Sequence, residues 1–209
     1  LTLRRWKKSE RLPLLVGLGA VVFSAIYFLS DLIELTQGGF STAQLALTLG
    51  AEAAIPFFVV GLYALQRPRI GRLGLAGTVG YAYSFVFFTS TVAYALVRDT
   101  SNWEALVGQL GASMTIHGVL MVLAGLALGL AVIRAGVLPR WTGVTLIAGV
   151  VLVAASSGLP DIAQTASAGV RDLAFAGMGV SVLHSRRRLT VVPHIPFIAG
   201  RDNSERRAS

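Results

Sequence analysis

The side chains whose types and positions could do chemistry are Tyr27, Asp31, Glu52, His117, Arg171 and Asp172, all set within or at the ends of apolar runs. Arg171 and Asp172 fall near the middle of the last run. An arginine at that depth in hydrocarbon costs roughly 2.5–3.5 kcal/mol, so it must face other helices and meet a partner. Glu52 is the first candidate. It lies nine residues into its own run, as Arg171 does, which puts both at ~14 Å depth. The guanidinium fork stays charged and suits a carboxylate or an anionic ligand. Asp172 points about 100° away from Arg171 around the helix, so a second neighbour is expected for it, His117 or a tyrosine of the third run. Ser24, Tyr27, Asp31 and Glu34 share one face of the first run, and Gln44, Thr48 and Glu52 stack on one face of the second.

This pattern predicts a polar pocket in the outer half of a helical bundle, used to bind or transport a small solute or to relay protons. The alternative is a structural or accessory subunit whose buried charges only fix helix packing, and for His117 alone a hydrogen-bonded packing residue. A membrane-embedded enzyme is the third reading. The chain has no HExxH, Walker or GxSxG motif and no cysteine, so no catalytic residue, metal ligand or cofactor is assigned.

The elements that must position these residues follow from hydropathy. The chain is 54% hydrophobic and 13% charged, with a mean hydropathy of +0.69; a soluble domain carries about 25% charge. Apolar runs of roughly 20 residues match a hydrocarbon core of about 30 Å. They predict an all-α, polytopic bundle of six spans, about Pro13–Ile33, Ala43–Gln66, Leu73–Val97, Ala112–Arg134, Trp141–Ser157 and Ile162–Leu183. The first run is longer than a signal-peptide core and lacks a cleavage site, so it is read as a retained helix. Residues 1–12 form a basic arm, 13–183 the transmembrane domain and 184–209 a basic tail expected to be largely disordered. Residues 98–108 make the longest outer loop. The aromatic third span, with Tyr81, Tyr83, Phe85, Phe87 and Phe88, reads as packing. Gly125 and Gly129 form a small-xxx-small pair that permits close helix approach.

Of the 18 lysines and arginines, 5 lie in the arm, 3 in the second-to-third loop, 2 about the fourth-to-fifth loop and 6 from Arg186 onward. The positive-inside rule then sets both termini in the cytoplasm. The formal charge of +8 is a topology signal and implies no nucleic-acid partner; the partners expected are the lipid bilayer, a small solute and a second copy or another membrane protein. The stretch Gly129-Leu130-Ala131-Val132-Ile133-Arg134-Ala135-Gly136-Val137-Leu138-Pro139-Arg140-Trp141-Thr142-Gly143 resembles one common in uncharacterised multi-pass membrane proteins of actinobacteria. The resemblance covers the fourth and fifth spans and implies a bacterial plasma-membrane protein; it carries no activity or site.

Overall fold

A computed structural model describes the backbone of residues 2–190 and the side chains of residues 11–185. The described residues form seven helices and no strand: α1 (Thr2–Gln37), α2 (Thr42–Gln66), α3 (Gly71–Arg98), α4 (Trp103–Leu110), α5 (Ala112–Ala135), α6 (Arg140–Ala155) and α7 (Asp161–Thr190). Four of them, α1, α2, α3 and α5, are long and apolar enough to cross a membrane. Helix α6 is apolar but only 16 residues long. Polar side chains between Gln164 and Asp172 lower the hydropathy of α7. Helix α7 continues to Thr190, seven residues into the stretch expected to be tail, and residues 191–209 lie outside the described residues.

Helices α1, α2, α3, α5, α6 and α7 form a closed ring in chain order, with α7 returning to pack on α1. Short connections make chain neighbours antiparallel. The closure is antiparallel too, since Gly17 lies against Gly179 and Gly169 against Phe28. The start of α1 and the end of α7 therefore share one end of the bundle with Arg67, Arg69, Arg134 and Arg140. Glu34, Asp99, Glu104 and Asp161 gather at the other.

Lipid tails are as apolar as leucine, so the ring cannot rest on hydrophobic exclusion between helices; close packing of small residues is what holds spans together in such a setting. The glycines supply it. A Cβ on Gly129 would lie 2.9 Å from the Gly143 carbonyl, one on Gly179 2.6 Å from the Gly17 carbonyl, and one on Gly77 2.5 Å from the Leu128 nitrogen. The small pair Gly125 and Gly129 thus serves the α5–α6 contact, with Gly125 seated against Val150 and the Tyr81 ring. The outer surface is apolar, with Phe57 79% exposed.

The expected long loop after α3 contains a helix instead. Asp99 takes a left-handed conformation (φ 53°) that ends α3, and Asn102 caps α4 by accepting from the Ala105 amide at 2.9 Å. Leu106 is then buried in a small core with Leu45, Val92, Ala95 and Met114, which fastens α4 over the acidic end. The Phe40 amide donates to the Ser101 carbonyl at 2.8 Å, tying this connection to the α1–α2 turn.

Candidate functional site

The two polar faces read from spacing meet each other. Four-residue steps on α2 place Gln44, Thr48 and Glu52 in one row, and that row lies along α1. Gln44 Nε2 donates to Glu34 Oε2 at 3.2 Å, Thr48 Oγ1 to Ser30 Oγ at 3.0 Å, and the Tyr27 hydroxyl to Glu52 Oε1 at 2.7 Å. Ser30 in turn donates to the Tyr27 carbonyl. Pro56 has no N–H to give the Glu52 carbonyl four residues earlier, so α2 is locally short of one backbone bond at the level of its buried carboxylate. A Thr48→Val variant, which keeps shape and removes the middle rung, should lose about 0.6–1.7 kcal/mol of stability, measured by unfolding in mixed micelles.

Tyr27 joins this ladder to α7. The Arg171 guanidinium sits over the Tyr27 ring at 4.8 Å from its centroid and 5.8 Å from that of Phe85. The expected direct pair between Arg171 and Glu52 is not formed. Arg171 Nε instead donates to Asp172 Oδ1 at 3.0 Å, the one ion pair among the described residues, with both side chains buried. Adjacent helical residues do diverge at Cβ, as expected, but the arginine stem is long enough to swing Nε sideways onto its neighbour. Asp172 therefore pairs with neither His117 nor a tyrosine. The arrangement is a relay of contacts, Glu52 to the Tyr27 hydroxyl, the Tyr27 ring to Arg171, and Arg171 to Asp172. Asp31, one turn from Tyr27 towards the acidic end, lies within Coulombic reach of Arg171.

The structure leaves His117 elsewhere. Its ring stacks on Phe87 at 3.6 Å between centroids and near Tyr83 at 5.6 Å, and Nδ1 bonds the Ser113 carbonyl at 2.8 Å. It is a packing residue of the α3–α5 contact.

Tyr81 and Phe85 belong to the site although the spacing argument passed over them. Tyr81 is fully buried, packs at a tilt against the Phe85 and Phe175 rings, and its hydroxyl has no partner among the described residues. With Phe88 the two fall at i, i+4 and i+7, one helical face, and that periodicity was the signal available. Glu52 Oε2, Asp172 Oδ2 and Arg171 Nη2 are also buried without a partner among the described residues. Buried polar atoms are nearly always satisfied, so four orphans at one level of one bundle call for an explanation.

A cavity of about 370 Å³ reaches this level from the acidic end. Exposed Trp103, Glu104 and Asp161 stand at its mouth, Asp31 and Glu34 along its wall, and Arg171 at its floor. Asp161 and Arg171 are ten residues apart on α7, so the cavity is ~15 Å deep. Among the described residues no group of three or more His, Asp and Glu side chains is placed to hold a metal ion.

No family model, curated protein or solved structure matches this chain. What the cavity can do is carried by its own geometry. It offers an open mouth, acidic walls and a guanidinium that makes one side-chain hydrogen bond among the described residues.

Proposed function

We propose that the protein is a multi-pass protein of a bacterial plasma membrane, with six spans and both termini in the cytoplasm, whose outward-facing vestibule binds a small solute as the recognition step of transport. The observation that carries this reading is the cavity lined at its inner end by Arg171, a 5% exposed residue whose guanidinium makes one hydrogen bond among the described residues, Nε to Asp172. A guanidinium placed only to lock helices would spend its donors on protein acceptors, since each buried donor left unmade costs about 1–3 kcal/mol. The orientation is supported by the basic and acidic ends of the ring. Arginine-rich connections belong to the cytoplasmic side under the positive-inside rule, which turns the cavity mouth outwards. Helices α6 and α7, short and polar respectively, are supported as spans by their places in the ring between α5 and α1.

The chain contains no cysteine, so single cysteines report access cleanly. Ala168→Cys on the cavity wall should react with a membrane-impermeant thiol reagent in intact cells, and Phe57→Cys on the lipid face should not. No reaction at Ala168→Cys in a folded protein would mean that the charges are sealed in the bundle and that the structural-subunit reading holds. Reaction only in inverted vesicles would reverse the orientation.

A further inference from the structure

Resting on the vestibule reading, the charges along the cavity narrow the solute class. Four carboxylates line it, Glu104 and Asp161 at the mouth and Glu34 and Asp31 below, and Arg171 closes it. A simple anion attracted by Arg171 must first pass those carboxylates at close range, in a cleft whose low-dielectric walls strengthen the repulsion. A simple cation is drawn in and then meets a buried positive charge at the floor. A neutral solute accepts from Arg171 but brings no counter-charge for the carboxylates of the wall. Only a molecule carrying both charges meets both ends of the cavity on favourable terms.

We infer that the cavity takes a small zwitterion, its anionic group on the Arg171 guanidinium and its ammonium group against Asp31. The register of α1 sets the spacing. Arg171 lies on the Tyr27 ring, and Asp31 is four residues further towards the mouth, a rise of ~6 Å. Half-buried Asp31 makes no side-chain hydrogen bond among the described residues, which leaves its carboxylate for a ligand. Glu34, in contrast, is held by Gln44. The cavity volume sits near the lower end of the ~300–1,000 Å³ common for small-molecule sites, in keeping with an amino-acid-sized solute. A free ω-amino acid and the phosphoethanolamine headgroup of a lipid share this chemistry.

The test uses the purified full chain in lipid-free detergent, with binding followed by calorimetry and thermal unfolding. Probes are β-alanine and phosphoethanolamine as zwitterions, propionate as anion and propylamine as cation. At least one zwitterion should bind about tenfold or more tightly than either singly charged probe, the factor expected when one charge-assisted contact is lost. Asp31→Asn, which preserves shape, should weaken that zwitterion about tenfold and bind propionate at least as well as the wild type, since it removes one carboxylate that repels an anion. Nanodiscs of phosphatidylethanolamine competing with the zwitterion, where phosphatidylglycerol does not, would name the lipid headgroup as the source; no competition would name the free solute, and either result keeps the zwitterion. Propylamine or propionate binding as tightly as both zwitterions overturns it. So does binding by none of the probes while Ala168→Cys still reacts, a result that leaves the vestibule standing. Unreactive Ala168→Cys removes both.

Discussion

Asp172→Ala should destabilise the bundle by about 3–5 kcal/mol, because it strands the Arg171 charge without the one carboxylate at ion-pair distance among the described residues. The pair is buried on both sides, so water reaching Arg171 through the cavity replaces Asp172 only in part. The remaining acceptors are badly placed: Glu52 binds Tyr27 through Oε1 and forms no ion pair with Arg171, and the Tyr27 and Phe85 rings offer only their faces. The double variant Arg171→Met, Asp172→Leu removes both charges and fills similar volume. Replacement of a buried pair by apolar side chains is often neutral or stabilising. Here the arginine also gives up its stacking on Tyr27, worth about 2 kcal/mol when desolvated. The double variant should therefore recover most, though not all, of the loss. Unfolding in mixed micelles across wild type, both single variants and the double closes the cycle. The folded double variant also separates the two readings of the pair. A purely structural pair predicts unchanged solute recognition once folding is restored; a binding site predicts a folded protein that binds no solute.

Much of this arrangement is legible in the amino-acid sequence. Four-residue spacing put Gln44, Thr48 and Glu52 in one row, and the row is where it should be, facing the polar side of α1. Depth counting brought Glu52 and Arg171 to one level, which is also where they are found. The partners were not legible, for a physical reason. Depth and face fix where a Cβ lies to within a few ångströms, but an arginine reaches about 7 Å beyond it, far enough for Arg171 to choose its own neighbour over a carboxylate on another helix. The intervening Tyr27 could not be seen either, since a tyrosine on a polar face can equally be an interfacial anchor. The reading of His117 as a hydrogen-bonded packing residue fits its place, whereas depth says nothing about which neighbour a helix face meets; the parallel stack on Phe87 depends on how α3 and α5 are rotated. Helix α4 hid in a stretch too polar and too short to read by periodicity, and is stabilised by Leu106 beneath it.

The glycine that positions the site was the least visible residue of all, and substituting it should produce the second large effect. Gly149 stands among similar residues in α6, yet a Cβ there would lie 2.6 Å from both the backbone nitrogen and the Cα of Arg171. Backbone cannot step aside as a side-chain tip can. Gly149→Ala would force α6 off α7 by roughly 1 Å to restore ordinary contact, and overpacking of this kind costs about 1–3 kcal/mol. Gly149→Leu should exceed that range and yield little folded protein. Gly118 provides the contrast: it lies within α5, and a Cβ there would meet nothing within 4 Å. Gly118→Ala should stabilise by about 0.5–1 kcal/mol, from helix propensity alone. Opposite signs for one chemical change, read by thermal unfolding in the same detergent, would locate the effect in the α6–α7 contact. The milder variant carries a second consequence. If Gly149→Ala folds, it moves the backbone that carries Arg171 while every polar side chain of the cavity is retained. Solute affinity should then fall with the chemistry of the site intact, and the reaction of Ala168→Cys, less than one turn from Arg171 on the same helix, should change in rate. A normal rate and normal affinity in a destabilised Gly149→Ala protein would mean that the floor of the cavity is not set by the seat of α7 on α6.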